Sequence, residues 1–165
     1  MFYVILIVNN FMEQYIDNKF VFKRLELGDK ETVKELFLAV FTVSPWYDDW
    51  SDSTQLDCYI TDLMGQSNSL TYGLFENENL IAVSMGRIKH WYTGTEYCID
   101  EFCVRKEMRG KGVGTFFLGN IEKAIREIGL VQIYLQTDID VKAFDFYIKN
   151  GFVHLQDTVS LAKQV

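Results

Sequence analysis

Val104-Arg105-Lys106-Glu107-Met108-Arg109-Gly110-Lys111-Gly112-Val113-Gly114 joins two segments of opposite character. An apolar run ends at Val104, and the acidic segment Glu96–Val104 that contains it reads as a strand. After it, Phe116, Phe117, Ile121, Ala124, Ile125 and Ile128 recur at helical spacing over Gly112–Ile128, and Gly129 ends the pattern. A strand, a glycine loop and a helix N-terminus in that order build an anion site. Glycines let the backbone approach a ligand closely, and the first N–H groups of the helix have no partner within it. Arg109 and Lys111 add positive charge. The arrangement suits a pyrophosphate, although a plain turn before a helix uses the same residues. No Gly-Lys-Ser/Thr follows four spacers, and the G-x-G-x-G run differs from the dinucleotide fingerprint.

The spacing Arg109-x-x-Gly112-x-Gly114 resembles the acetyl-CoA loop of the GNAT N-acetyltransferase family. Two more stretches carry the resemblance. Ala143-Phe144-Asp145-Phe146-Tyr147-Ile148-Lys149-Asn150-Gly151-Phe152 resembles the family's A-x-x-F-Y-x-x-x-G-F signature. Ile99-Asp100-Glu101-Phe102-Cys103-Val104 resembles its acidic strand. In layout the resemblance spans Phe20 to Ala162, and its motifs lie within Tyr97–Phe152.

The resemblance implies acetyl-CoA as co-substrate. It also implies a mostly antiparallel, twisted sheet with helices on both faces. The strands ending at Val104 and at Thr137 would splay, leaving a gap for the pantetheine arm. Cofactor contacts fall on Phe102, Cys103 and Val104, whose backbone would also supply an oxyanion donor. The pyrophosphate falls to Arg109, Gly110, Lys111, Gly112, Val113, Gly114 and Thr115. Asp140 stands where the family often carries an Asn that contacts the cofactor arm.

Periodicity supports the same plan element by element. Phe20–Leu25 reads as a strand, and Gly28-Asp29 opens a helix through Val33, Leu36, Phe37, Val40 and Phe41. Ser53 is positioned to cap a second helix, Thr54–Met64. Leu70–Phe75 and Leu80–Ile88 read as strands joined by a turn at Glu76-Asn77-Glu78-Asn79. Leu130–Thr137 is a further strand, Val141–Asn150 a helix, and Phe152–Gln156 with Thr158–Ala162 a closing hairpin. The order β α α β β β α β α β β makes an α/β (α+β) sheet covered on both sides.

A chain of 165 residues fits a single domain, 1–165, with 1–15 as an N-terminal extension. Met1–Val8 is nearly all apolar but too short to span a bilayer, and it lacks a basic flank. It suits an edge strand or a partner contact, and Met12 offers an alternative start. A net charge of −7 argues against nucleic acid as a partner and favours a cationic substrate, while serving solubility equally well. The odd count of three cysteines, with only two histidines, has no metal-ligand spacing, so no metal is expected and reduced thiols in a cytoplasm fit best. Cys98 and Cys103, five apart on one strand, are expected on opposite sides. No membrane association is expected, and a homodimer is one arrangement open to the exposed edges.

Transfer of an acetyl group to an amine needs a proton acceptor, donors for the carbonyl oxygen, and a proton for the departing sulfur. Asp100 is the first candidate for the base, placed by alternation with Phe102 and Val104, with Glu101 its rival on the other face. The signature makes Tyr147 the candidate acid, although a core tyrosine beside Phe144 and Phe152 reads the same locally. Trp46, Tyr47, Asp48, Asp49 and Trp50 form an aromatic and acidic loop suited to a cationic acceptor. The same residues also suit core anchoring and helix capping. The expected activity is acetylation of a polyamine, aminosugar or aminoglycoside in a ternary complex. Acetylation of a protein or peptide amine and non-catalytic acyl-CoA binding are the alternatives.

Overall fold

The computed structural model describes Gln14–Ile16 and residues 19–165. The apolar stretch Met1–Val8 and the alternative start at Met12 lie outside the described residues. The chain divides into a larger unit ending at Leu135 and a smaller one, Gln136–Val165.

Among the described residues, the larger unit is built on a six-stranded sheet in sequence order. Its strands are β1 (Gln14–Ile16), β2 (Phe20–Leu25), β3 (Ser69–Glu76), β4 (Asn79–Trp91), β5 (Gly94–Val104) and β6 (Gln132–Leu135). Helices α1 (Lys30–Phe41) and α2 (Ser53–Met64) precede β3, and α3 (Val113–Glu127) connects β5 to β6. Neighbouring strands are antiparallel except β5 and β6, which need the α3 crossover because they run parallel. The β3–β4 turn holds Asn77 and Glu78 at φ 48° and 67°, the paired left-handed conformation that matches the twist of a two-residue hairpin.

Apolar side chains collect on both sheet faces. On one, Val33, Leu36, Phe37 and Val40 of α1 and Leu56 and Ile60 of α2 pack against Val83, Met85 and Cys103. On the other, Phe117, Ile121 and Ile125 of α3 pack against Tyr72, Tyr97 and Ile99. The Tyr97 hydroxyl is fully buried and donates to the Leu70 carbonyl at 3.0 Å, tying β5 to β3 across β4. The mixed, mostly antiparallel sheet with helices on both faces is the one expected.

Several details differ from the sequence reading. Asp52 rather than Ser53 caps α2, accepting from the Thr54 and Gln55 N–H groups at 2.9 and 3.0 Å. Its carboxylate reaches the second and third helical amides, which the adjoining Ser53 backbone is already too helical to do. Ile128 is 52% exposed and not inward-facing, because α3 ends at Glu127 and the chain turns away at Gly129, φ 83°.

Two features of β5 position everything that follows. The first is a bulge. Met85 pairs with Glu101 but Gly86 pairs with Ile99, so Asp100 is an extra residue with no opposite number. Ile99 and Phe102 consequently face α3 together although three positions apart. Asp100 and Glu101 share the side of α1 and α2, which corrects the alternation that grouped Asp100 with Phe102 and Val104. The same shift puts Cys98 and Cys103 on one side, not opposite ones. The second feature is that β6 leaves β5 early. Their register runs from Glu96 with Gln132 to Ile99 with Leu135, and β5 continues to Val104 without β6.

In the smaller unit, α4 (Lys142–Lys149) is capped by Asn150, and Gly151 takes φ 88° as the reversal requires. Tyr147 is buried, with ring centroids 5.2 Å from both Phe146 and Phe152. The expected hairpin over Phe152–Gln156 and Thr158–Ala162 does not form. Alternating apolar residues define a face but not a partner, and here Val153, Val159 and Leu161 are exposed. A side-chain bond from Gln136 to Ser160 at 2.8 Å stands in that stretch instead of a strand ladder.

Candidate active site

Beyond Val104 the chain is held tightly for a surface loop. The Arg105 N–H donates to the Ile81 carbonyl at 2.8 Å, and Met108 is buried against the α3-side core. Arg109 folds back, its Nε donating to the Val104 carbonyl at 3.0 Å. Gly110 and Gly112 take φ 71° and 80°, and a Cβ at either would meet nothing within 4 Å. Backbone conformation, not crowding, therefore requires glycine at both.

Gly112 caps α3 without a side chain, so the Val113, Gly114 and Thr115 N–H groups have no capping acceptor from it. Lys111 is exposed beside them, while Val113 is buried and fixes the direction of the helix. Three orphan donors, a helix dipole and the cations Lys106, Arg109 and Lys111 fit a pyrophosphate. The end of β5, which pairs with β4 but extends past β6, adjoins this loop. Phe102 there stacks on Phe117 at 5.5 Å, whereas Cys103 is buried on the opposite side, its thiol pushed up to about 12 by burial. Cys103 thus offers a ligand its backbone but not a reactive sulfur. Val104 packs on the α3 side.

The two adjacent acids at the β5 bulge meet different fates. Asp100 pairs with Arg87 of β4, so its charge is balanced. Glu101 is turned toward α2, where the Tyr59 hydroxyl donates to its Oε1 at 2.5 Å. Burial holds the Glu101 carboxyl above the ordinary carboxylate range; the Tyr59 bond opposes this, and Asp48 and Asp100 add to it. Tyr59 is raised by burial and by Glu101, so it stays a donor. A carboxylate in this setting accepts a proton at higher pH than a solvated one. Neither Tyr59 nor Arg87 was singled out by the sequence. Tyr59 follows Cys58 within an ordinary amphipathic helix, and Arg87 is a strand residue whose partner depends on the bulge.

The loop after α1 divides in two. Trp46 packs 5.9 Å from Phe41, and Trp50 stacks on Tyr59 at 5.1 Å with Phe37 edge-on at 5.3 Å. Both are anchors of the α1–α2 core. Tyr47 is 70% exposed with φ 55°, and Asp49 accepts from the Ser51 N–H at 3.1 Å. The charge of Asp48 raises both Tyr59 and Glu101, so one acid of the loop is within electrostatic reach of them.

Tyr147 and Asp140 belong to the smaller unit, where Tyr147 is buried on α4 and Asp140 is exposed ahead of it. Among the described residues no group of acids, cysteines and histidines is arranged to hold a metal ion. No described helix is long and apolar enough to cross a membrane.

Known proteins share this fold. An aminoglycoside acetyltransferase from an uncultured soil metagenomic sample, solved with sisomicin, superposes with a TM-score of 0.70 at 20% identity, covering 92% of this chain and 99% of that one. AAC(6')-Iy, solved with the bisubstrate analogue CoA-S-monomethyl-acetylneamine, gives 0.68 at 12% identity, covering 88% and 99%. A ribosomal-protein-alanine N-acetyltransferase from Brucella melitensis gives 0.68 at 14%, also covering 88% and 99%. At such identities these likenesses concern the fold. No curated protein matches the sequence. The model of the acetyltransferase (GNAT) family matches residues 31–152, through the loop and the Tyr147 signature. The chain therefore belongs to the GNAT acetyltransferase family and is an N-acetyltransferase that uses acetyl-CoA.

Proposed function

We propose that the protein acetylates the primary amine of a small cationic acceptor, a polyamine, aminosugar or aminoglycoside, by direct transfer within a ternary complex. The observation that carries this reading is the setting of Glu101: a half-buried carboxylate, bonded to Tyr59 with Trp50 stacked on that ring, and raised above its ordinary range by burial and by the charges of Asp48 and Asp100. Acidic and aromatic groups together attract an ammonium. A carboxylate with raised pKa then removes its proton. Glu101 is thus the base in preference to Asp100, whose charge Arg87 already balances.

Acetyl-CoA, when bound, supplies the acetyl group as an activated thioester. The Val113, Gly114 and Thr115 N–H groups, with Arg109 and Lys111, hold its pyrophosphate. Gly110 and Gly112 give the loop its shape. The stretch of β5 from Phe102 to Val104, beyond the last residue that pairs with β6, is where the pantetheine arm lies. Tyr147 holds a proton at its phenol oxygen for the departing sulfur. Tyr47, Asp48 and Asp49 orient the acceptor, and the Trp46 and Trp50 anchors fix the ends of their loop.

Free-CoA release from acetyl-CoA, measured across polyamines, aminoglycosides, amino acids and peptides, tests the reading. Turnover is expected with one cationic class, and Glu101→Gln should lower its kcat/KM about 100-fold or more while acetyl-CoA still binds. Turnover confined to peptides would overturn the acceptor class. Wild-type turnover in Glu101→Gln would remove Glu101 from the chemistry.

A further inference from the structure

We infer that Tyr59 is a positioning residue for this reaction: from α2 its hydroxyl anchors one carboxylate oxygen of Glu101, and Trp50 stacked on its ring ties that anchor to the acceptor loop. The inference rests on Glu101 as the base and adds what aims it.

A glutamate on a strand has free rotation toward its carboxyl end, and the bulge at Asp100 widens the local backbone. An unanchored carboxylate there would spend its time pointing at water. The 2.5 Å bond from Tyr59 fixes Oε1 and leaves Oε2 for an incoming ammonium. Tyr59 can do this because its own ring is held. Phe37 lies 5.9 Å away and tilted, and Trp50 lies 5.1 Å away and nearly parallel, at 25°. The chain runs from Trp50 back through Asp49 and Asp48 to Tyr47, the part of the loop that reaches solvent. Seating of the loop and aim of the carboxylate therefore share one aromatic stack.

The groups that act on Glu101 can be named from each side. Tyr59 comes from α2 and Asp48 from the loop after α1. Asp100 adjoins it on β5 and is itself paired with Arg87 of β4. Cys103, two positions on, is buried and acts as a neutral thiol. Of these, only Tyr59 is a hydrogen-bond donor to the carboxylate. Losing it removes an interaction with the charged form while the acids remain.

Direction separates positioning from packing. If Tyr59 only fills space, Tyr59→Phe leaves the Glu101 titration where it was. If the change loosens the core and admits water, the titration moves down toward the ordinary carboxylate value. If the hydroxyl anchors the carboxylate, the titration moves up by about one unit. The experiment is a carboxyl carbon NMR titration of Glu101 in the full chain, with Glu101→Gln identifying the signal. It needs neither acetyl-CoA nor a known acceptor, so it succeeds or fails independently of the proposed reaction.

Fluorinated tyrosine at position 59, a stronger donor of the same shape, provides the second variant should Tyr59→Phe not fold. Its expected effect is a downward shift. An upward shift in Tyr59→Phe or a downward one in the fluorinated protein supports the anchor. An unmoved titration in either, or a fall in Tyr59→Phe, overturns it. The role in catalysis is read separately: with neamine or spermine as acceptor, Tyr59→Phe should lower kcat about tenfold with acetyl-CoA affinity unchanged. Wild-type turnover in Glu101→Gln would overturn the base, and with it the positioning role.

Discussion

Replacing Gly86 by alanine should damage both the fold and the chemistry, because of where the added methyl goes. Gly86 sits on β4 opposite the bulge that turns Asp100 and Glu101 to one side. A Cβ built there lies 2.2 Å from the Cys98 carbonyl oxygen, 2.9 Å from the Tyr97 ring and 3.0 Å from the Cys98 carbonyl carbon. Ordinary contact begins near 3.4 Å, so β4 and β5 must part by about 1.2 Å, and backbone cannot swing aside as a flexible side chain can. Tyr97 is also fully buried and hydrogen-bonded to β3, so it resists displacement.

Overpacking of this kind costs about 3 kcal/mol, the upper part of its usual range. For a chain of this length that corresponds to a fall in Tm of about 6–12 °C. Calorimetry gives the Tm, and CoA release gives kcat/KM at a temperature where both proteins are folded. Turnover should fall further than stability explains, since parting the strands re-aims Glu101, while acetyl-CoA affinity should change little. Gly119→Ala is the control: on α3, its Cβ meets nothing within 4 Å, and helix propensity predicts a gain of about 0.5–1 kcal/mol. A Gly86→Ala protein with wild-type Tm and kcat/KM would refute the claim that the bulge is tightly packed and that it aims the acid.

Gly112→Ala places a side chain at φ 80°, at a cost of about 1–2 kcal/mol; reshaping of the loop should weaken acetyl-CoA about tenfold by calorimetric titration, leaving the acceptor KM unchanged. The pKa of Glu101 is raised on folding, so the stability it contributes is full below its unfolded value and lost as pH rises through its folded one. Glu101→Gln should therefore lose this part of the pH dependence of Tm and gain stability relative to wild type on the alkaline side; parallel profiles would contradict the burial argument. Tyr147→Phe should lower turnover in CoA release while leaving acetyl-CoA binding intact, and undiminished turnover would remove Tyr147 from the chemistry.

The loop was the most legible part of the sequence because its requirements are local. Positive φ at Gly110 and Gly112 and free N–H groups at the head of α3 depend on few neighbours, and spacing alone suffices to read them. The β3–β4 hairpin and the core faces of α1 and α3 were legible for the same reason. The site acids were not. A bulge is a property of two strands, fixed here by the Gly86 contact with Cys98, and nothing in Ile99–Val104 alone reveals an extra residue. One unread bulge misassigned Asp100, and it also misjudged the relative sides of Cys98 and Cys103. Tyr59 escaped notice because its role depends on Glu101, far away in sequence. The hairpin expected after Phe152 failed for the converse reason, since alternation marks a face without supplying a neighbour to pair with.

The stacking of Trp50 on Tyr59 gives the protein a built-in optical probe. The chain contains three tryptophans. Trp46 and Trp50 bracket the loop that follows α1, while Trp91 is about half exposed at the end of β4. Removing Trp91 by substitution with phenylalanine would leave emission from the bracketed loop alone. The indole lies against a phenol bonded to a carboxylate, so a change in either the stacking or the charge of Glu101 alters its quenching. The loop after α1 thus reports its own state as light, without a label.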